Sequence, residues 1–221
     1  MPNGKKRASL TASLQYEEAC WIIGCRHVIG VDEVGRGTWA GPVAAGAVCL
    51  PYERTDLPTV LEGVRDSKQM TPHQRESLVA RIKETAVAWG IGSATSAEID
   101  AFGIVPATRL AMERAIEAAN IQPDYLLLDS IKWLDPKRIP YQSIVRGDTL
   151  SLSIASASVL AKVWRDDYMR QLDKSYPVYH FAQHKGYGTA KHIAALHEHG
   201  ACEEHRLSFA PLRHLAIETN S

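Results

Sequence analysis

The sequence predicts an α/β protein, a sheet flanked by helices. Three short apolar runs read as strands, and each runs into a carboxylate: Val28, Ile29 and Val31 into Asp32 and Glu33, Tyr125–Leu128 into Asp129, and Ser143–Val145 into Arg146-Gly147-Asp148. Between them lie stretches whose apolar residues recur at helical spacing and whose ends carry capping residues. The chain has 221 residues, without repeats, low-complexity segments or an obvious linker, so one domain over 1–221 is expected.

The elements follow in order. Residues 1–10 read as a disordered tail, and Thr11 to Ile23 as a helix capped by Thr11 and stopped near Gly24. The strand at Val28 leads through Gly35-Arg36-Gly37 to a second strand, Val43 to Leu50. Gly41-Pro42 followed by short, valine-rich VAAGAV favours a hairpin. A dinucleotide-binding turn would need a helix to begin at those glycines, and the adjacent acids would repel a pyrophosphate. A polar loop over Tyr52 to Met70 contains Asp66-Ser67-Lys68. Thr71-Pro72 opens a helix with Leu78, Ile82, Ala86 and Trp89 at helical spacing.

A strand is expected at Ala88 to Ala94, then a short helix capped by Ser96 toward Phe102. Val105 to Asn120 carries an alanine stripe, Ala107, Ala111, Ala115 and Ala118, which permits close packing. The continuous run YLLLD reads as a strand buried on both faces, and Ser143–Val145 as another of this kind. A long helix, Leu150 to Lys174, begins among small residues that suit packing against a sheet. Thr189 caps a last helix ending at His199 before Gly200. Seven of the nine histidines fall between His180 and His214, and most read as surface or core-edge residues.

Composition excludes little. The chain is 45% hydrophobic and carries 25 basic and 25 acidic residues, so nucleic-acid binding would depend on local clustering. The four cysteines, Cys20, Cys25, Cys49 and Cys202, form no CxxC pair and fit no common zinc spacing. No signal-peptide pattern and no membrane-length apolar run is present, which predicts a soluble, cytoplasmic protein.

Ligands of open α/β sheets bind at the carboxyl ends of strands. Asp32, Glu33, Asp129 and Asp148 all lie at such ends. Converging carboxylates repel unless hard cations bind, so Mg²⁺ or Mn²⁺ is expected, with metal-assisted phosphoryl transfer through a two-ion mechanism as the chemistry. Asp32 and Glu33 are neighbours whose side chains point oppositely in a regular strand. The strand must end or twist for both to serve one site, or Glu33 acts through its backbone or at one remove. Lys162 lies four residues after Ser158 and could reach the acids or a phosphate. The segment YPVYHFAQHKGYG, with Lys185 and Tyr187 between glycines, suits stacking beside a phosphate backbone.

These residues also carry a resemblance. IGVDEVGRGTWAGPV, DSKQMT, YLLLDS, RGDTLSLSIASASVLAKVWRD, YPVYHFAQHKGYGT and EEHRLSFAP occur in this order over Val28 to Pro211. Together they make the chain similar to the bacterial ribonucleases HII, type 2 ribonucleases H. The resemblance implies a ribonuclease H-like mixed sheet flanked by helices, with a helical C-terminal, substrate-binding region over about residues 175–221. It implies cleavage of the RNA strand of RNA–DNA hybrids and incision 5′ of ribonucleotides embedded in duplex DNA, leaving a 3′-hydroxyl and a 5′-phosphate.

On the same resemblance, Asp32, Glu33, Asp129 and Asp148 are the metal-binding catalytic acids. Gly35, Arg36 and Gly37 recognise the ribose 2′-hydroxyl, largely through backbone groups. Tyr187 stacks on the neighbouring deoxyribose, and Lys68, Lys162 and Lys185 serve phosphate or supporting roles. Two departures from the family pattern stand out. Thr38-Trp39 replaces the usual Pro-Leu, and Ser130 replaces the usual glycine after Asp129. Ribonuclease HIII shares the core but carries an extra N-terminal domain, for which the stretch before Val28 leaves no room. No obligate protein partner is evident.

Overall fold

In the computed structural model, which describes residues 11–52, 54–65, 70–131, 139–210 and 212–213, a mixed sheet is built around the first strand. β1 (Val28–Val34) pairs antiparallel with β2 (Val43–Cys49), which pairs antiparallel with β3 (Ala88–Ala94) at one edge. On its other side β1 runs parallel to β4 (Tyr125–Asp129), and β4 parallel to the edge strand β5 (Tyr141–Ile144). The order is β3-β2-β1-β4-β5, so the strand carrying Asp32 lies at the centre.

α1 (Gln15–Ile22) precedes β1; the one-turn α2 (Leu57–Val60) and α3 (Pro72–Thr85) separate β2 from β3. Between β3 and β4 come α4 (Ser96–Phe102) and α5 (Ile104–Ala118). The alternation of each strand sends one set of residues to each side of the sheet. Val43, Ala45, Ala47 and Cys49 pack with Ile29, Val31 and the α5 residues Ala107, Ala111 and Ala115. The glycines of β3 let that helix come close: a Cβ on Gly92 would stand 2.2 Å from the Ala111 carbonyl oxygen. This is the close packing that the alanine stripe predicts.

The opposite face is covered by α7 (Leu152–Ser175), which follows the one-turn α6 (Gly147–Leu150) after β5. A Cβ on Gly46 would stand 2.3 Å from the Ala157 carbonyl oxygen, so the small residues of α7 lie directly on the sheet. The α7 N-terminus is closed by the buried carboxylate of Glu17 from α1. It accepts from Ser151 Oγ (2.5 Å), Ser153 N (2.8 Å) and Ser153 Oγ (2.6 Å). Burial pushes the Glu17 carboxyl pKa up. A 3-10 turn at Pro177–Tyr179, then α8 (Phe181–His184) and α9 (Ala190–His199), form the helical C-terminal region.

Several boundaries differ from expectation for local reasons. Thr11 does not cap α1; its hydroxyl accepts from Gly63 N (2.9 Å), and the helix starts at Gln15. Thr95, not Ser96, caps α4 in a capping box with Glu98, which frees the Ser96 hydroxyl to donate to the Glu204 carbonyl (2.8 Å). The polar loop after β2 contains α2. Trp89 belongs to β3 rather than to the α3 face, because α3 stops at Thr85. β5 is an edge strand with Tyr141, Gln142 and Ser143 exposed, not a strand buried on both faces. The expected helix from Leu150 is split, because Ser151 is extended and caps α7. Asp148 therefore sits in α6, one turn before the long helix. Among the described residues, no helix is long and apolar enough to cross a membrane.

Candidate active site

Asp32 and Asp129 occupy matching places on adjacent parallel strands. Val31 pairs with Leu128, and the two aspartates are the next residue of each strand. Asp148 comes in from α6, and one carboxylate oxygen from each of Asp32, Asp129 and Asp148 lies within 4.8 Å of the others. Asp32 and Asp148 are buried and Asp129 is partly buried. Among the described residues this is the one cluster of side chains able to hold a metal ion.

Hydrogen bonds aim these carboxylates. Asp129 Oδ1 accepts from Gly147 N (2.9 Å) and Ser130 Oγ (3.0 Å). Asp32 Oδ1 accepts from Glu33 N (2.7 Å), and the Ser158 hydroxyl of α7 also bonds the Asp32 carboxylate. Burial above all, then the charge of Glu33, raises the Asp32 pKa well above the usual carboxylate range. An oxygen-only donor set, with a buried acid that repels its neighbours, fits a hard divalent cation.

Glu33 is not part of this trio. β1 stays regular to Val34, with Glu33 opposite Ala45, so alternation starts its side chain on the other face of the strand, although its charge still acts on Asp32 and Asp129 at the strand end. It pairs instead with Arg36 Nη1 at 3.1 Å. Its Oε2 is buried with no hydrogen-bond partner, and burial raises its pKa against the lowering effect of Arg36.

The Gly35-Arg36-Gly37 turn is held from beneath. Gly35 has φ +88°, and a Cβ there would stand 2.2 Å from Arg165 Nε. The Gly35 carbonyl accepts from Thr38 Oγ1 (3.0 Å), and the Arg36 carbonyl accepts from Arg206 Nη1 (3.0 Å). In a trans peptide, C=O and N–H point in opposite directions. The amides of exposed Arg36 and Gly37 are therefore turned outward, four and five residues after Asp32. Arg165 also donates to the Pro42 carbonyl (2.9 Å), the Ala40 carbonyl (3.1 Å), Thr38 Oγ1 (2.8 Å) and the Lys185 carbonyl (3.0 Å). Burial pushes the Arg165 pKa down to about 10 and that of Arg206 to about 9, so both stay charged at neutral pH.

Arg165 and Arg206 escaped the sequence reading. The available signal was an arginine at a core position of α7, four residues before buried Met169; Arg206 had none. Thr38, one of the departures, supplies the hydroxyl that braces the turn, and Trp39 packs its ring against Gly188.

The Trp39 amide donates to the Gly186 carbonyl (2.8 Å), which ties the turn to the loop bearing Tyr187. The Tyr187 side chain is exposed. Lys185 Nζ is engaged by the Ala182 carbonyl, and Lys162 Nζ by Asp166 (2.6 Å), so neither lysine's recorded partner is one of the three clustered acids. Lys68 lies outside the described residues. The cysteines are free, and the histidines expected at the surface divide: His197 and His199 are exposed, whereas His184, His192 and His205 are buried.

A central strand and its parallel neighbour presenting aspartates to a third acid, on a ribonuclease H-like sheet, define a class: metal-dependent endoribonucleases. The ribonuclease HII family model matches residues 29–212, and the chain belongs to that family. A ribonuclease HII of Desulfitobacterium hafniense is 48% identical over 204 residues, 92% of this chain and 76% of that one. The ribonuclease H2 structure from Pyrococcus horikoshii OT3 shares the fold with a TM-score of 0.73, at 24% identity, over 88% of this chain and 99% of that one. The structure of Bst-RNase HIII in complex with Mn²⁺ aligns with a TM-score of 0.65, at 20% identity, over 92% of this chain and 73% of that one. As a ribonuclease HII, the protein is a divalent-metal-dependent endonuclease acting on RNA–DNA hybrids.

Proposed function

We propose that this endoribonuclease also incises duplex DNA 5′ of an embedded ribonucleotide, leaving a 3′-hydroxyl and a 5′-phosphate. The observation that carries this reading is the pair of outward amides at Arg36 and Gly37, locked by buried arginines next to the strand that bears Asp32. A backbone donor so fixed recognises a ribose 2′-hydroxyl and finds nothing to bond on a deoxyribose. Gly37 has open space where a Cβ would project, which leaves room for a sugar to approach. Tyr187, tied to the turn through Gly186 and Trp39, stacks on the deoxyribose across the junction.

Asp32, Asp129 and Asp148 hold the metal, Mg²⁺ or Mn²⁺, and two ions serve the reaction. The oxygen donor set supports this choice, as does the neighbouring fold with Mn²⁺. When bound, the ions supply a nucleophilic water at neutral pH and charge neutralisation at the phosphate. A water oxygen bonds to phosphorus as the P–O3′ bond breaks, and the departing O3′ takes up a proton. Ser158 and the Gly147 amide keep the Asp32 and Asp129 carboxylates aimed. Glu33 contributes through its amide, which orients Asp32, rather than as a member of the trio. Lys162 and Lys185 take supporting roles at the phosphates, and Lys68 a similar one.

The test uses duplex DNA with one ribonucleotide and a long RNA–DNA hybrid, each with Mg²⁺, Mn²⁺ or EDTA. A metal-dependent cut 5′ of the ribonucleotide is expected. Asp129→Asn should keep the fold and lose activity by at least about a hundredfold, the scale for deleting one electrostatic element of a transition state. Cleavage of the hybrid alone would remove the junction reading. Silence on both substrates from folded protein would leave a nucleic-acid-binding module.

A further inference from the structure

We propose that the buried histidine pair His192 and His205 is a positioning device for Tyr187, and through it sets discrimination for a ribonucleotide joined to DNA. This rests on the junction role of Tyr187 given above. The shorter bonds favour one assignment of protons, although His205 Nδ1 also lies 3.3 Å from the Cys202 carbonyl and 3.2 Å from Cys202 Sγ. The Tyr187 carbonyl can only accept, so His192 Nδ1, 3.0 Å away, carries a proton and donates. In a neutral ring His192 Nε2 is then an acceptor, and its partner at 3.0 Å is His205 Nε2, which must donate. His205 Nδ1 is left to accept, and the Cys202 amide meets it at 3.0 Å. Donors run one way, from Cys202 N–H through both rings to the Tyr187 carbonyl. A proton added to His192 would set two N–H groups against each other between the Nε2 atoms, and one added to His205 would set Nδ1–H against the Cys202 N–H. Burial keeps both rings neutral, with pKa values pushed down to about 4.

A third ring supports the same loop. His184 stacks on His192, with centroids 4.4 Å apart and planes at 14°. Its Nδ1 accepts from Gly186 N (3.2 Å) and its Nε2 donates to the Tyr179 carbonyl (2.7 Å). The loop is thus held at the Gly186 amide and the Tyr187 carbonyl, while Tyr187 as a whole is 47% exposed. The far end of the relay is the segment Cys202–Arg206, and Arg206 grips the Arg36 and Gly41 carbonyls. One segment therefore registers both recognition elements, the turn through Arg206 and Tyr187 through His205 and His192. A junction reader needs such registration, because the donor for the 2′-hydroxyl and the stacking ring must sit one nucleotide step apart.

The experiment is a double-mutant cycle read as selectivity, kcat/KM on the single ribonucleotide divided by kcat/KM on the long hybrid, with Mg²⁺. His192→Leu should lower that ratio about fivefold, which at about 1.4 kcal/mol per tenfold is the net worth of one hydrogen bond. His192→Asn, whose amide nitrogen can replace Nδ1, should restore most of it. In a Tyr187→Ala background His192→Leu should change the ratio no further, since its effect passes through Tyr187. A purely structural histidine would lower both substrates alike, or add its full effect to Tyr187→Ala, and either result overturns the proposal. If Tyr187→Ala leaves the ratio unchanged, the junction reading itself fails and this inference with it. If Tyr187→Ala lowers the ratio and His192→Leu does not, this inference fails alone. Should thermal melts show that His192→Leu does not fold, His192→Asn and His192→Gln decide. Asn keeps the Tyr187 bond and Gln the His205 bond, so Asn should hold the ratio and Gln lose it; equal ratios would overturn the proposal.

Discussion

Ser130 stands at φ +46°, a left-handed conformation that costs a side chain about 1–2 kcal/mol and glycine very little. Its hydroxyl offsets part of that cost by donating to Asp129 Oδ1 and accepting from Arg146 N (3.3 Å). Ser130→Gly should therefore leave stability within about 1 kcal/mol in urea unfolding, with strain relief against lost bonds. A loss of several kcal/mol would show that the hydroxyl does more than compensate for the backbone. Asp32 poses the opposite balance. Burial and Glu33 disfavour its charge in the metal-free protein. Asp32→Asn should raise the melting temperature in EDTA by about 2–4 °C per kcal/mol of relieved repulsion. The same variant should lose the stabilisation that Mn²⁺ confers on wild type. A lower melting temperature in EDTA would contradict the repulsion.

Helix α7 presses on β1 and β2 without intervening side chains at Gly46, and that contact carries Ser158 to Asp32. Gly46→Ala would drive a methyl into the Ala157 carbonyl oxygen, and overpacking of this kind costs about 1–3 kcal/mol. We expect that loss in denaturant unfolding, with weaker Mn²⁺ binding as the helix shifts from the acid. Unchanged stability would mean that α7 can retreat freely. The elements themselves were largely legible because their signals are local. Thr71-Pro72 begins α3 with a capping box, Thr189 and Gly200 bound α9, and YLLLD is β4. Where a cap shifted, as from Ser96 to Thr95, a long-range bond to Glu204 had taken the neighbouring hydroxyl.

Across the whole molecule, two sets of buried groups oppose each other in pH. His192 and His205 titrate near 4 when folded and near 6.5 when unfolded. Between those values the unfolded chain binds more protons, so their contribution to stability is lost as pH falls. The His192→Asn, His205→Gln double variant should show a flatter fall in melting temperature than wild type from pH 6.5 to 4. Parallel curves would mean that these rings are not neutral in the fold. Asp32, Glu33 and Glu17 have raised values, so the folded state binds the extra protons and stability falls as pH rises. A bound divalent ion removes that penalty at Asp32, the one of the three in the metal-holding trio. At a hundred times its Kd it should add about 2.7 kcal/mol, with a larger shift at pH 8 than at pH 5.5, where protons compete. Equal shifts at both pH values would place the ion elsewhere.

The sequence by itself determined the alternation of strands and helices, the acids at strand ends and the family. Strand alternation, helical spacing, caps and motifs are all properties of neighbouring residues. Only the tertiary structure decided which acids converge. The register of β1 leaves Glu33 outside the converging trio, while α6 brings Asp148 into it. It also sent Lys162 to Asp166, set Arg165 beneath the turn through Thr38, 127 positions earlier, and joined scattered histidines behind Tyr187. Those outcomes depend on how helices and loops dock on the sheet, a choice made by packing between distant segments that no local pattern records.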